Sequence, residues 1–365
     1  MKQESYVIIM ACWIILTGCG AHTSSSSNSD TNIDLVSSRD SVGILGYTSS
    51  GKLDKPVPAS ESSTSGSITI AVDEALQPII DAEIEAFQFR YPTATIHPLY
   101  LPGEEAIAAM LSSDSVRMAI SSRVLAPEEE AFLAKRGIEP SYSHLFSDAT
   151  ALINHPGNSL HKLTGEQLRG ILTGTIKTWN QLDSKLPAKP VELIFDNRAS
   201  SILTDLRKQY LEGEPIPSQS VFAFQTTPEV VDHVASHEWA IGFIGFAWIS
   251  DQDNPQTKIW REAVTLMALE KSEESKSTCF FDQNFFLPFQ SYIYEGCYPL
   301  TRKATSILRE STLGLGTGFV SFIDSEIGQL VIQKAGLVTV HGVGREVKLP
   351  AKVKIPKQDK LSSPE

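Results

Sequence analysis

The chain has 365 residues, with 43 acidic against 31 basic side chains and a net charge of −12 at pH 7. This charge argues against a nucleic-acid-binding protein, which needs a basic surface. It does not argue against anion binding, because a closed cleft can use backbone N–H groups and helix N-termini instead. Beyond a polar N-terminal part, about 280 residues remain, a length that suits two lobes better than one.

The N-terminus reads as a targeting segment. An apolar run over residues 6–16 leads to Thr17-Gly18-Cys19. The run is shorter than the roughly 20 residues that span a bilayer, so it fits the apolar region of a signal peptide. The small residues before Cys19 resemble a bacterial lipobox, in which the cysteine is lipidated; an ordinary secretory signal is the alternative. We therefore predict a lipoprotein signal peptide at 1–19 and a serine-rich tether at 20–65.

The remaining cysteines fit an exported protein. Cys279 and Cys297 are left once the signal is removed and Cys19 is lipidated. In an oxidising compartment such a pair is a disulfide candidate.

Strand and helix patterns alternate from Ser67, which predicts largely parallel sheets with helices on their faces. The first set has strands at 67–72, 95–100 and 116–121 and helices at 76–87, 104–111 and 127–136. A second set begins near Ala149, with strands at 149–154, 191–195 and 240–246, and the chain ends with one helix over 319–335. We assign lobe 1 to 66–150 and, on the chain's return, 290–347; lobe 2 takes 151–289, and 348–365 form a tail.

Motifs for catalysis are missing. The sequence contains no GxSxG elbow, no HExxH and no phosphate-binding P-loop, so we expect neither enzyme activity nor a cofactor. His233 and His237 lie four residues apart and could share a helix face as metal ligands, with Glu238 nearby. No matching ligand cluster accompanies them, and we expect no metal.

Polar residues follow three predicted strands, where ligands bind in open α/β sheets. They are Asp73-Glu74-Ala75, Ser121-Ser122-Arg123 and 196–201, which contains Asn197, Arg198, Ser200 and Ser201. Arginine binds oxyanions bidentately, and the helix that begins near Ala199 would add N–H donors. These junctions predict an anion site between the lobes. The alternative is that Ser200 or Ser201 is only an N-cap.

Several longer segments resemble a known family. They are LTGEQLRGILTGTIKTW at 163–179, AIGFIG at 240–245, YPLTR at 298–302, GFVSFIDSEIGQLV at 318–331 and AGLV at 335–338. From about Gly66 to Val347 the chain is similar to the periplasmic phosphate-binding proteins of phosphate ABC importers. The resemblance implies the two-lobed α/β fold of type II periplasmic-binding proteins, each lobe a mixed sheet flanked by helices. It also implies a monomer in the cell envelope that delivers phosphate or a related oxyanion to ABC permease subunits.

The chain departs from this family at the ligand positions. Ala75-Leu76 replaces the family's Thr-Phe pair, and Glu104-Glu105 replaces its serine-rich turn. Ser122 stands in place of the proton-accepting aspartate and Phe195 in place of the arginine. Residues 198–201 replace the Gly-Ser-Gly-Thr turn. We expect Arg123 and Arg198 to replace the missing cation, and Glu104 to hold one of them or to repel an anion. The alternative function is a non-transport lipoprotein of the same fold, acting as a sensory or interaction module.

Overall fold

The computed structural model describes residues 61–217, 221–272, 279–310 and 313–342. The predicted signal peptide with Cys19, most of the tether and the C-terminal tail lie outside these residues. The strands are β1 (Gly66–Asp73), β2 (Ala94–Leu101), β3 (Val116–Ser121), β4 (Ser141–Asn154), β5 (Lys162–Leu163), β6 (Glu192–Phe195), β7 (Val221–Ala223), β8 (Ala240–Gly245), β9 (Thr265–Leu266), β10 (Ala268–Glu270), β11 (Phe285–Phe286), β12 (Thr301–Leu308) and β13 (Val338–Thr339).

The helices are α1 (Gln77–Arg90), α2 (Gly103–Ser112), α3 (Pro127–Lys135), α4 (Gly165–Leu172), α5 (Ser201–Leu211), α6 (Thr227–Ser236), α7 (Ala247–Ser250), α8 (Pro255–Ala263), α9 (Gln290–Tyr294), α10 (Leu315–Asp324) and α11 (Glu326–Lys334). Short 3₁₀ turns precede α1 at Glu74–Leu76 and follow α4 at Trp179–Gln181.

Each lobe is built on a mixed sheet, as predicted. In lobe 1, β2, β1 and β3 are parallel, and β12 runs antiparallel between β3 and β4. In lobe 2, β4 is antiparallel to β8, which is parallel to β6, and β6 is parallel to β7. A smaller sheet of β11, β10 and β5 adds to lobe 2.

Two crossing segments join the lobes, and they are bonded to each other. The first is β4, whose residues up to Ala149 pair with β12 while those from Thr150 pair with β8. The second leads into β12 through residues 297–300, where the Leu300 carbonyl accepts the Thr150 N–H at 2.9 Å and the buried Tyr298 hydroxyl donates to the Thr150 carbonyl at 2.8 Å. Sequence placed a strand start at Ala149 because only the second half of β4 is fully buried; the first half, from Ser141, is partly exposed.

The C-terminal helix prediction is wrong in one respect. Instead of one helix over 319–335, the chain forms α10 and α11, separated at Ser325. Ser325 is extended, with ψ of 165°, and its side chain caps α11 by accepting the Gly328 N–H at 3.5 Å. Glycine at position 328 also allows α11 to pack closely against the end of α10, since a Cβ there would lie 2.5 Å from the Phe322 carbonyl oxygen. An N-cap serine thus interrupts an otherwise continuous apolar pattern.

Apolar residues are buried on both faces of the lobe 1 sheet. In β1, Ile70 and Val72 join a large cluster that continues into lobe 2, whereas Ala71 joins a second cluster with α2 and α3. This alternation follows from the two-residue period of a strand. The core face of α1 also carries Glu83, a carboxyl that is 0% exposed.

The end of the predicted tether is anchored to lobe 1. Glu61, with a side chain that is 2% exposed, accepts two bonds from Arg117 at 2.8 and 2.9 Å and one from the Leu315 N–H at 3.0 Å. A Cβ on Gly318 would lie 1.7 Å from the Ser63 carbonyl oxygen, so α10 requires glycine where this segment crosses it. Residues of the predicted tether from Glu61 onward therefore make folded contacts with lobe 1.

Candidate functional site

Helix starts from the two lobes meet beyond the ends of the strands. A Cβ on Gly103, the first residue of α2, would lie 2.7 Å from the Cβ of Ser201, the first residue of α5, and 3.1 Å from Asp73 Oδ2. A Cβ on Gly245 would likewise lie 2.4 Å from the carbonyl oxygen of Ala75. Both glycines let one lobe touch the other, so the structure shows the lobes closed.

A cavity of about 10 Å³ remains between the lobes. This is room for about one water molecule. Its lining comes from both lobes: Gly103, Glu104, Ser121, Ser122, Arg123, Ser201, Thr204, Asp205 and Lys208. The lining thus includes five of the residues singled out in the sequence: Glu104, Ser121, Ser122, Arg123 and Ser201. Across the boundary, the Ser122 hydroxyl donates to Asp205 Oδ2 at 3.5 Å.

A buried arginine that the sequence analysis did not single out lies at this boundary. The side chain of Arg302, on β12, is 3% exposed. Its Nη2 donates to Asp73 Oδ2 at 2.9 Å and to Ser201 Oγ at 2.8 Å, while Nε lies 3.4 Å from Asp205 Oδ2. One guanidinium therefore connects the end of β1 in lobe 1 with the start of α5 in lobe 2.

Four carboxylates act on the charge of Arg302. Burial alone would lower its pKa, but Asp73, Asp205, Asp148 and Asp196 together raise it. Arg302 is therefore charged at neutral pH. The negative groups outnumber it, so the closed cleft is acidic.

Several of these acids titrate far above their usual range. Burial raises the pKa of Asp148 to about 6 and that of Asp196 to about 6, and it also raises the pKa of Asp205. The pKa of Glu74 rises to about 8 because of burial and the nearby charges of Asp196 and Asp73. At pH 7 Glu74 is mainly protonated, which limits the repulsion inside the cleft.

Arg123 is engaged by acids of its own lobe. Its Nε donates to both oxygens of Glu104, and its two terminal nitrogens donate to Glu104, Glu129 and the Val124 carbonyl. Burial would lower the pKa of Arg123, but the bonds to Glu129 and Glu104 raise it. Glu104 thus holds Arg123, one of the two roles expected for it, and the guanidinium would have to leave these partners to bind a ligand.

Only part of the turn after β6 contacts the cleft between the lobes. The Asn197 side-chain oxygen accepts the Ala199 N–H at 2.9 Å, which shapes the turn. Ser200 is buried at the N-cap of α5 without a side-chain capping bond. Arg198 is exposed and does not line the cavity. Of this turn, Ser201 makes the contact with Arg302.

Glu74 and Ala75 help to close the lobes on each other. The Glu74 carbonyl accepts the indole N–H of Trp248, from α7 of lobe 2, at 3.2 Å. Ala75 is 1% exposed and packs against Gly245, and its N–H donates to Asp73 Oδ1 at 3.1 Å.

Sequence reasoning missed Arg302, and it named Asp73 only as part of the Asp73-Glu74-Ala75 junction without giving it a role. Arg302 ends the quoted YPLTR segment, and Asp73 directly follows the first predicted strand, so both were visible. What the sequence does not show is their contact. The two residues are 229 positions apart, and they come together because β1, β3, β12 and β4 lie side by side in this order in the sheet.

The histidine pair lies elsewhere, on α6. The rings of His233 and His237 stack with centroids 3.7 Å apart, and His233 Nε2 is 3.7 Å from Glu192 Oε2. Among the described residues, no group of three or more His, Cys, Asp or Glu side chains is arranged to hold a metal ion.

Cys279 and Cys297 are joined in a disulfide, with Cα atoms 5.0 Å apart. This bond ties the segment before β11 to the start of the second crossing segment. Within the described parts of the chain, no helix combines the length and the apolar character needed to cross a bilayer.

Comparison with known proteins identifies the family. The profile of the PBP superfamily domain matches residues 57–326. The phosphate-binding protein PstS of Bacillus subtilis (strain 168) is 23% identical over 282 residues, which are 77% of this chain and 83% of that protein.

Solved structures show the same fold. A putative phosphate ABC transporter substrate-binding protein with bound phosphate from Clostridium perfringens superposes with a TM-score of 0.60 at 22% identity, covering 76% of this chain and 100% of the other. An ABC-type phosphate transport receptor from Vibrio cholerae gives a TM-score of 0.56 at 18% identity, covering 75% and 100%. These neighbours confirm the two-lobed type II fold predicted from the sequence. Together with the profile match over most of the length, they show that the chain belongs to the PBP superfamily.

Proposed function

We propose that this chain is the solute-binding lipoprotein of a phosphate-type ABC importer and that it captures phosphate or a related oxyanion between its lobes. The names of its relatives support transport of phosphate. In this proposal Cys19 carries the lipid that holds the protein, as a monomer, at the outer side of a bacterial membrane. ABC permease subunits receive the ligand, and no catalysis is involved.

The observation that carries the proposal is the surroundings of Arg302. A buried guanidinium meets the N-terminus of α5, and these are the two groups that proteins use most often for oxyanions. Arg302 Nη1 is buried and has no hydrogen-bond partner among the described residues, and the buried Nε has only the ion-pair contact with Asp205 Oδ2 at 3.4 Å. Unused buried donors are rare in folded proteins, and an oxyanion would satisfy them.

The proposed ligand set combines this cation with the predicted residues of the cleft. Ser201 stands beside Arg302, and Ser121, Ser122, Glu104 and Arg123 line the adjacent cavity. The predicted residues Glu74, Ala75, Asn197, Arg198 and Ser200 flank it on the two strand-to-helix turns. For a ligand larger than one water molecule, the lobes must open and close again around it.

Isothermal titration of the protein with phosphate, sulfate and molybdate tests this function. Arg302→Gln should weaken phosphate binding at least tenfold, the scale of a charge-assisted hydrogen bond left unmade. Arg198→Gln should have a smaller effect, because Arg198 is exposed, and Arg90→Gln at the exposed end of α1 is a matched control. Absence of binding at millimolar concentrations of all three anions would refute the transport function.

The acidic character of the cleft favours a second candidate, a non-transport lipoprotein of the same fold. Asp73, Asp148, Asp196 and Asp205 all act on one buried cation, Arg302. If no anion raises the melting temperature, this sensory or interaction module becomes the better account, since any ligand of the native state must stabilise it.

A further inference from the structure

Asp73 occupies the position in which an oxyanion would find its donors. Its Oδ1 accepts the Ala75 N–H at the start of the turn that leads into α1, at 3.1 Å. Its Oδ2 accepts Arg302 Nη2 at 2.9 Å and lies beside Gly103, the first residue of α2. A backbone N–H at a helical start and a guanidinium are what a bound phosphate or sulfate uses. In this structure the Asp73 carboxylate, which belongs to the protein itself, accepts hydrogen bonds from both the Ala75 N–H and the Arg302 guanidinium.

The same contact holds the lobes together. Arg302 Nη2 donates to Asp73 on one side and to Ser201, at the start of α5 in lobe 2, on the other. Asp73 is 0% exposed and the Arg302 side chain 3%, so bulk water does not weaken this pair. The closed arrangement is thus bridged by an ion pair within the protein.

An additional anion would enter an already negative space. Besides Asp73, the acids facing Arg302 are Asp148, Asp196 and Asp205, and Glu74 adjoins Asp73 and Asp196. At the cavity, Arg123 is compensated by Glu104 and Glu129. Lys208, one turn along α5 from Thr204, is the other cation of the lining. An oxyanion that approaches Arg302 must therefore compete with the resident carboxylates for its charge.

We propose that Asp73 competes with the ligand for Arg302: in the unliganded protein its carboxylate closes the lobes, and an incoming oxyanion displaces it from the guanidinium. This inference rests on the proposed function. It assigns Arg302, at the start of β12 just after the second crossing segment, as a ligand-contacting residue, and Asp73 as the residue that sets the affinity for the ligand by pairing with Arg302. Removing the charge of Asp73 should then tighten oxyanion binding, whereas a carboxylate that serves the ligand would give the opposite sign.

Asp73→Asn is the decisive variant. Asparagine keeps the shape and can still accept the Ala75 N–H, but it no longer neutralises Arg302. Titration with inorganic phosphate should show affinity at least tenfold tighter than in the wild type. Asp253→Asn removes the same charge from an exposed position in lobe 2 and should leave affinity unchanged. In Asp73→Asn/Arg302→Gln the gain should vanish, because it acts through Arg302.

A second measurement starts from the ligand-free protein. Without phosphate, Asp73→Asn should have a larger radius of gyration by small-angle X-ray scattering than the wild type, since its bridge between the lobes is weakened. Phosphate should restore the compact form. Asp73→Ser serves in the same two assays if the asparagine variant does not fold.

The outcomes separate the two claims. If the wild type binds phosphate and Asp73→Asn binds it equally or more weakly, the competition is overturned while the proposed function stands. If neither protein binds phosphate, sulfate or molybdate, the proposed function fails and the competition fails with it. Tight binding by Asp73→Asn alone, with no binding by the wild type, would support the competition at Arg302 and refute the transport function.

Discussion

Glu83 offers a test of the energetics of lobe 1 that is independent of any ligand. It lies on the core face of α1, 0% exposed, and neither carboxyl oxygen has a hydrogen-bond partner among the described residues. Burial raises its pKa from 4.5 to about 9. The folded protein therefore keeps Glu83 protonated at pH 7, whereas the unfolded chain releases that proton.

The sign and size of the effect follow from this difference in pKa. Between pH 4.5 and about 9 the folded state holds one more proton than the unfolded state, so the free energy of unfolding falls as pH rises. The slope is about 1.4 kcal/mol per pH unit for one group, which amounts to roughly 3 kcal/mol at pH 7. Glu83→Gln, which cannot ionise, should be more stable than the wild type by an amount that grows with pH.

Denaturant unfolding at pH 5, 6, 7 and 8 measures this difference directly. Glu85→Gln removes a carboxylate from the exposed face of the same helix and should change the free energy of unfolding little at each pH. A difference between Glu83→Gln and the wild type that does not vary with pH would show that Glu83 ionises in the folded protein, and the burial argument would be refuted.

Three other predictions concern anchoring and stability. Cys19→Ala should move the protein from the membrane to the soluble fraction; a wild type that is already soluble, with a mature N-terminus elsewhere, would contradict the lipoprotein assignment. Replacing Cys279 and Cys297, 18 residues apart, by serine should cost roughly 3 kcal/mol of unfolding free energy. Mass spectrometry of non-reduced, alkylated protein checks the bond, and two free thiols in the exported form would exclude it. Glu61→Ala should lower the melting temperature and cost about 3 kcal/mol, because it removes a buried carboxylate and leaves the partly buried Arg117 with one fewer partner; an unchanged melting temperature would mean that this anchor does not contribute.

The fold could be predicted from the sequence because its signals are local. Apolar periodicity located the strands, and proline, glycine and the capping box at Thr164 located the helix ends; the structure shows that box in α4, with the Thr164 hydroxyl accepting the Gln167 N–H. The local signal failed where a capping serine interrupted an apolar pattern, at Ser325. It also failed in the half-exposed part of β4.

The site was harder to predict because its chemistry depends on pairs that are distant in sequence. Arg123 was singled out for its position after β3, but its donors are used by Glu104 and Glu129. Nothing local distinguishes it from Arg302, whose partners come from β1 and α5. Which of the two arginines has unused donors is determined by tertiary contacts alone.

The hydrogen bonds between the two crossing segments determine how the lobes can separate. Because Thr150 is bonded to both Tyr298 and Leu300, the two segments cannot swing independently as loops would. Opening must instead bend and twist β4 near Ala149 and Thr150, with small dihedral changes shared over neighbouring residues. Two segments that are hydrogen-bonded to each other allow one lobe to rotate relative to the other but resist sliding of the lobes past each other. The faces that separate at the cleft should therefore return to the same register each time they close.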